Sequence, residues 1–227
     1  MNNIECPFCK EEKNRNDNPI KKDRIIAETN NLIVFPTTGG FVKNYQLIVP
    51  KKHLNCFGEL TKEELQELKF LIEWQKKINR DYFNSNTSMF EHGALIPHNT
   101  SGKSIVHAHL HVFPNNTTLL NKISKYGFNI NKISDISELS TISRDFENYL
   151  YYQDIDGTSY VITHDGIPSQ FLRKVLAESK GIKNWNWRKD PYLDSIIENI
   201  NFYEENPNVY NLKGNEENDY FTKRRIQ

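Results

Sequence analysis

The chain has 227 residues, and its 29 Lys and Arg residues balance 29 Asp and Glu residues, so the formal net charge at pH 7 is zero. This balance excludes a general electrostatic attraction to nucleic acid or to anionic membranes. No apolar run reaches the length of a membrane span, and the polar start MNNIECPFCKEEKNRND does not fit a signal peptide. Because Cys6, Cys9 and Cys56 make a poor disulfide framework, we expect a cytoplasmic protein.

The first half of the chain predicts an antiparallel sheet with a helix on one side. Runs rich in β-forming residues are found at 24–29, 31–36, 45–50, 88–93 and 104–114. Thr61 and Glu64 make a capping box, and the helical pattern that follows continues to about residue 78. The combination is an α+β pattern.

After Pro114 the pattern changes. The predicted elements are helical pieces over 115–152, a hairpin with Asp156-Gly157 at its tip, a helix opened by Pro168 or Ser169, and a helix opened at Asp190-Pro191. From residue 206 onward the chain is charged and expected to be loose. We therefore predict a domain at 1–116, an α/β C-terminal extension at 117–204 and a charged flexible tail at 205–227.

Three histidines alternate along the last strand of the first domain. His107, His109 and His111 are spaced i, i+2, i+4, which places them on one face of a strand, with apolar residues on the other. The preceding loop, NTSGKS, is rich in small residues whose backbone amides can wrap a phosphate. A neutral imidazole beside such a loop is a good nucleophile toward phosphorus.

These residues resemble the signature of the histidine triad (HIT) superfamily. The match is carried by HAHLHVFP, by the loop and strand GKSIVHAHLHVFP, by the strand and histidine of LIVPKKH, and by the CPFC pair. It spans about residues 4–115 in the family's order. The resemblance implies a HIT-like antiparallel sheet with a flanking helix.

The resemblance also implies a role for each residue of the motif. His109 would be the nucleophile that becomes a nucleotidyl-histidine, with its other ring nitrogen donating to a backbone carbonyl, plausibly that of His107. His111 would stabilise charge or assist the leaving group. Ser104, with the backbone of Gly102 and Lys103, would contact phosphate. Where many members have an Asn, this chain has Glu91 beside His92, so Glu91 is a candidate for a sugar hydroxyl or for orienting His92.

A zinc site is the second expectation. Cys6 and Cys9 have zinc-finger spacing, and by resemblance His53 and His107 would complete a structural Cys₂His₂ site. The alternative is a pair of ordinary thiols beside a mobile N-terminus.

The segments GIPSQFLRKV and NWNWRKDP resemble a C-terminal extension of some bacterial HIT proteins. Because Gln170 and Arg173 lie at a predicted helix N-terminus, they are candidates for the outer phosphates or the leaving group. Helix capping and a surface ion pair explain the same residues equally well.

The resemblance predicts a nucleotide hydrolase that cleaves at the α-phosphate of a dinucleoside polyphosphate or a nucleotidyl conjugate. Three alternatives stay open: a nucleotidyltransferase or phosphorylase, a non-catalytic nucleotide-binding protein, and a redox protein that uses Cys6 and Cys9. Many compact HIT proteins form two-fold dimers, so a homodimer is possible, although the extension could cover the surface involved.

Overall fold

The computed structural model describes residues 6–94, 105–146, 148–163, 166–211, 221 and 223–224. Its helices are α1 Pro7–Lys13, α2 Lys62–Phe83, α3 Leu120–Ile123, α4 Leu139–Asp145, α5 Phe171–Ser179 and α6 Leu193–Glu205. Its strands are β1 Ala27–Glu28, β2 Leu32–Pro36, β3 Gln46–Pro50, β4 Thr87–Gly93, β5 Leu110–Pro114, β6 Asn129–Ile133, β7 Tyr149–Gln153, β8 Ser159–Thr163 and β9 Lys223–Arg224. Within the ranges described, no helix is long and apolar enough to cross a membrane.

All the strands in the described ranges belong to one sheet. It has nine strands in the order β6-β8-β7-β4-β5-β3-β2-β1-β9, and every neighbouring pair is antiparallel. Strands β6 to β8 come from the C-terminal extension and continue the sheet from the edge of β4, through the pairing of β4 with β7. The extension is therefore part of the same layer as the first domain.

The two faces of the sheet carry different helices. One face, which we call the site face, packs against α1, α3 and α5 through apolar residues that include Phe8, Phe90 and Phe171. The other face, the opposite face, packs against α2, α4 and α6 through residues that include Trp74 and Tyr203. Helices therefore flank the sheet on both sides, because each face is apolar and must be covered.

Helix α2 begins where the sequence predicts. The Thr61 hydroxyl accepts from the Glu64 backbone N–H at 3.2 Å, and the Glu64 carboxylate accepts from the Thr61 N–H at 2.8 Å. The helix ends five residues later than the predicted Ile78, at Phe83, with Asn84 in the left-handed region at φ 46°. Asn tolerates this conformation and is a common stop.

Two segments differ from their predicted structure. Residues 129–133, expected to be helical, form the edge strand β6, in which only Ile133 is buried. The segment after residue 206, expected to be loose, packs inward: Trp74 Nε1 donates to Val209 O at 2.8 Å, and Tyr210 Oη donates to Ile26 O at 2.7 Å. Phe221 lies against Trp74, and β9 pairs with β1. Buried aromatic residues thus anchor the described part of this tail.

Candidate active site and metal centre

Strand β5 places the histidines at the centre of the site face. His111 lies in β5 between Leu47 of β3 and Phe90 of β4. The strand begins only at Leu110, so His107 and His109 precede it, which is shorter than the predicted strand. The alternation nevertheless holds, because Ala108 donates to Leu54 O at 2.7 Å and packs into the core of the opposite face.

His109 is held as a neutral imidazole with one free nitrogen. Its Nδ1 lies 2.7 Å from the His107 carbonyl oxygen, so Nδ1 carries the proton and donates, and Nε2 keeps its lone pair. Burial lowers the pKa of His109, and the positive charge of Arg173 lowers it further, against the opposing effect of the His107 hydrogen bond. The ring is therefore uncharged at neutral pH.

His111 has the complementary arrangement. Its Nδ1 lies 3.1 Å from the Tyr45 hydroxyl, and its ring stacks on Phe90 with 4.5 Å between centroids. Burial raises the pKa of Tyr45, so the hydroxyl keeps its proton. The Arg173 guanidinium lies over the Tyr45 ring at 5.5 Å and donates a hydrogen bond to the hydroxyl oxygen, which leaves the hydroxyl proton for His111. Nδ1 then accepts and Nε2 carries the proton.

A cavity of about 440 Å³ opens beside these two rings. One wall comes from α1 and the segment after it, and the other comes from the C-terminal extension. Its lining includes Phe8, Phe90, His92, Ile105, His109 and His111. A volume of this size fits a small-molecule ligand in a largely apolar pocket.

Four possible metal ligands converge next to the cavity. The ligand atoms of Cys6, Cys9, His53 and His107 all lie within 4.8 Å of one another. Cys6 Sγ lies 3.3 Å from His107 Nδ1, and Cys9 Sγ lies 3.3 Å from His53 Nδ1. His107 Nε2 donates to Pro50 O at 2.8 Å, so its Nδ1 faces the thiols without a proton. Two sulfur and two imidazole donors, with one ring oriented by a backbone carbonyl, fit a tetrahedral structural zinc site.

Helix α1 links this cluster to the cavity. Cys6 is its N-cap residue and Cys9 lies within it. Between them, Phe8 points at the histidines, with its ring 5.4 Å from that of His109 and 5.7 Å from that of His107. The helix that supplies both thiols therefore also supplies one wall of the cavity.

Glu91 lies away from the cavity, which corrects its expected contact with substrate. Residues 90 and 91 alternate, so Phe90 faces the site while Glu91 points to the opposite face, where it is 1% exposed. Its carboxylate accepts from Phe57 N at 2.7 Å and from Tyr149 Oη at 2.9 Å. Burial raises the pKa of Glu91 to about 8. Its role is structural.

The titratable residue of β4 that faces the cavity is His92, one position beyond Glu91. Burial lowers its pKa to about 4, and the nearby His109 contributes to the shift. Sequence reasoning named His92 only as a neighbour of Glu91. Side chains alternate between the two faces along the strand SMFEHG. Placing Phe90 on the same face as His111 would have placed His92 there as well.

The phosphate-loop residues Gly102, Lys103 and Ser104 lie outside the described part of the chain. The two predicted residues of the extension, by contrast, reach the cavity. Arg173 is 3% exposed, and its Nη2 donates to Gly39 O at 2.5 Å. Gln170 is the N-cap of α5 at φ 60°, and its side chain makes no capping hydrogen bond. A surface ion pair and helix capping therefore do not account for them.

The family model of the HIT domain matches residues 18–118. Solved structures that resemble this chain include a HIT-like protein from Bartonella henselae, with 18% identity, a TM-score of 0.37, and 48% of this chain and 78% of that chain covered. A hypothetical protein from Leishmania major has 20% identity and a TM-score of 0.40, over 54% and 93% of the two chains. A HIT family member from Bacillus subtilis has 22% identity and a TM-score of 0.39, over 48% and 72%.

No curated protein matches the chain. The three structures align over about half of this chain, which leaves the other half outside the alignment. Residues 18–118 match the HIT domain model, and the chain has a HIT-type α+β fold with a C-terminal part added to its sheet.

Proposed function

We propose that the protein is a nucleotide hydrolase of the histidine triad type, which cleaves at the α-phosphate of a dinucleoside polyphosphate or a nucleotidyl conjugate. The observation that carries the proposal is the hydrogen bond from His109 Nδ1 to His107 O at 2.7 Å. It fixes the tautomer of a neutral imidazole that lines a cavity of ligand size. A nucleophile needs this combination of a free lone pair and access to substrate.

The reaction takes place in two displacements. His109 Nε2 attacks the α-phosphorus, a nitrogen–phosphorus bond forms, and the bond from phosphorus to the leaving group breaks. Water then attacks the same phosphorus, the nitrogen–phosphorus bond breaks, and the nucleoside monophosphate leaves. His109 Nδ1 keeps its proton and donates it in the hydrogen bond to the His107 carbonyl throughout, which stabilises the positive ring of the intermediate.

His111 stabilises the negative charge of the leaving group. With Nδ1 accepting from Tyr45, its Nε2 N–H donates a hydrogen bond to the leaving oxygen of a polyphosphate, which departs as an anion. The rings of His109 and His111 are 5.0 Å apart between centroids, so both can contact one phosphoryl group. In the second step, the attacking water releases one proton to the solvent as the nitrogen–phosphorus bond breaks, and His111 stays neutral throughout.

Other residues are proposed to bind the substrate. By resemblance to the family, Ser104 and the backbone of Gly102 and Lys103 hold the phosphate oxygens. Gln170 and Arg173 bind the part of the substrate that leaves, since both line the cavity beside His111.

Cys6, Cys9, His53 and His107 are proposed to hold a structural zinc ion. Zinc bound by four protein ligands has no open position for water, so its contribution would be to the fold. His107 then orients His109 through its carbonyl while its ring is a ligand. This arrangement leaves His107 out of the proton transfers.

The test is acid-labile labelling of the protein with a nucleotide substrate labelled at the α-phosphate. We expect label on the wild-type protein and none on His109→Ala, together with a loss of at least about 1,000-fold in kcat/KM. Thermal unfolding of the variant serves as the control for folding. Nucleotide binding by wild type without turnover, or a variant with unchanged turnover, would contradict the proposal.

A transferase or phosphorylase differs only in what accepts the nucleotidyl group. Including inorganic phosphate or a hexose phosphate in the same reaction distinguishes the two activities. Nucleoside monophosphate as the sole product supports hydrolysis, whereas a nucleoside diphosphate or a sugar nucleotide would identify the acceptor and overturn the hydrolase proposal.

A further inference from the structure

The charged residues of the cavity are distributed unequally between its two walls. On the α1 side, Lys10 pairs with Asp17 at 2.7 Å, and Arg24 pairs with Glu11 in a buried ion pair. Each cation on this wall therefore has a carboxylate partner. The wall has no net charge to offer to a polyphosphate.

The extension wall carries two cations with no such partner. No carboxylate among the described residues lies within ion-pair distance of Arg173 or Arg188, and both line the cavity. Arg173 is buried, and its Nε makes no hydrogen bond. Arg188 is exposed and lies over the Trp187 ring at 4.5 Å from the centroid.

A buried acceptor lies on the same wall. Gln170 Oε1 is shielded from solvent and has no hydrogen-bond partner. Buried donors and acceptors are nearly always paired, so an orphan donor and an orphan acceptor on one wall indicate a ligand that supplies both partners. Arg173 Nε requires an acceptor such as a phosphate oxygen, and Gln170 Oε1 requires a donor such as a hydroxyl.

We propose that Gln170, Arg173 and Arg188 form a subsite for the leaving group of the substrate, and that this leaving group is an anionic nucleoside polyphosphate. The inference rests on the proposed hydrolase function and makes its substrate class more specific. The nucleotidyl part is uncharged beyond its α-phosphate and fits the charge-neutral α1 wall. The phosphates of the leaving group fit the two arginines that have no carboxylate partner among the described residues, and a sugar hydroxyl fits Gln170.

The unequal distribution of charge between the two walls makes the enzyme selective between two substrate classes. A dinucleoside polyphosphate releases an anion that the extension wall can bind. A nucleoside phosphoramidate with the same nucleotidyl group releases a neutral amine or a cation, which gains nothing from two arginines. The contacts between the arginines and the leaving group would therefore raise kcat/KM for the polyphosphate above that for the phosphoramidate.

The test compares kcat/KM for diadenosine tetraphosphate and for adenosine 5′-phosphoramidate in wild type and Arg188→Met. Arg188 is exposed, so its replacement leaves the fold intact, and Arg144→Met removes an exposed arginine from α4 as the matched control. We expect Arg188→Met to lower kcat/KM for the tetraphosphate roughly 10-fold and to change that for the phosphoramidate less than about 2-fold.

Inhibition by inorganic tripolyphosphate provides a second readout. It measures directly how tightly the subsite binds a polyphosphate anion. We expect its inhibition constant to rise roughly 10-fold in Arg188→Met and to be unchanged in Arg144→Met. Equal losses on both substrates, or an unchanged inhibition constant, would overturn the leaving-group subsite while the hydrolase function stands. If wild type turns over neither substrate class and tripolyphosphate does not bind, both proposals fail.

Discussion

At the scale of single residues, two neighbouring histidines are set to opposite tautomers by their hydrogen-bond partners. His109 gives its Nδ1 proton to a backbone carbonyl, whereas His111 accepts at Nδ1 from the Tyr45 hydroxyl. Nε2 of His109 can therefore form a bond to phosphorus, whereas Nε2 of His111 can donate a hydrogen bond. Their sequence context is almost identical, so the difference comes from tertiary structure.

Glu91 gives a pH dependence that can be measured. Its pKa is raised to about 8 in the folded protein, whereas a Glu in an unfolded chain titrates near about 4.3. A raised folded pKa means that the folded state holds the proton more tightly. The resulting stabilisation is complete below the unfolded pKa and is lost as the pH rises through about 8.

We therefore expect the free energy of unfolding of wild type to fall by about 2 to 3 kcal/mol more than that of Glu91→Gln between pH 6 and pH 9. The amide of Gln cannot ionise and keeps an acceptor for Phe57 N and a donor for Tyr149 Oη. Urea unfolding of both proteins at the two pH values provides the measurement. Parallel pH profiles would show that Glu91 is ionised in the fold at neutral pH.

The sequence predicted the triad because the period of a strand fixes which side chains share a face. His109 and His111 line the cavity, and the carbonyl of His107 lies where the resemblance places it. The prediction for Glu91 was wrong because the motif places a residue to within about one position. In a strand, a shift of one position moves a side chain to the other face of the sheet. Partners from distant segments, such as Tyr45 and Arg188, carry no local pattern that would reveal them.

At the scale of secondary-structure elements, α1 is too short to be stable alone. Its seven residues make about two helical turns in total, so tertiary contacts must stabilise it. Those contacts are Phe8 in the core of the site face, the Arg24–Glu11 ion pair, and the cluster that contains Cys6 and Cys9. The proposed zinc ion would join the helix to the strand that carries His109.

We expect the double variant Cys6→Ser, Cys9→Ser to lose bound zinc, from about one ion per chain to none, and to expose α1. Hydrogen exchange over residues 7–13 should become faster, while exchange in α2 stays unchanged. Cys56→Ala is the control, because Cys56 is buried on the opposite face and is not part of the cluster. Protein purified without added zinc that contains no metal in wild type would refute the site.

Strand β6 shows why local patterns fail at a sheet edge. The segment NINKI pairs with one neighbour only and has one buried residue, so it lacks the alternation that marks a half-buried strand. Its strand structure depends on the pairing with β8. The β7–β8 hairpin, with both strands in the core and Asp156-Gly157 at the turn, was recognisable because the signal is local.

At the scale of the whole molecule, the extension completes the first domain. The resemblance predicted the HIT fold and its order of elements. Because the family pattern ends near residue 115, it could not predict which strand pairs with the free edge of β4. In the structure β7 pairs with β4 along Met89 to Gly93, and α5 covers Phe90. The cytoplasmic location and the homodimer stay predictions.

A chain truncated after Thr118 should therefore fail to fold. Truncation removes β7 and α5, which leaves the backbone of β4 unpaired and exposes the apolar residues of the site face. We expect loss of the cooperative thermal transition and aggregation. A chain truncated after Asn211, which loses only β9 and its surroundings, is the control and should unfold cooperatively. A soluble, cooperatively unfolding 1–118 fragment would show that the HIT domain is autonomous.

The two walls of the cavity come from opposite ends of the chain, α1 at residues 7–13 and Arg173 to Arg188 more than 150 positions later. Gly39 joins the C-terminal segment to the N-terminal half of the chain by two hydrogen bonds. Its carbonyl accepts from Arg173, and its N–H donates to Pro191 O at 2.7 Å. During synthesis on the ribosome, the histidines emerge well before the second wall exists. The cavity therefore gains its second wall only after residues 169–188 have been synthesised.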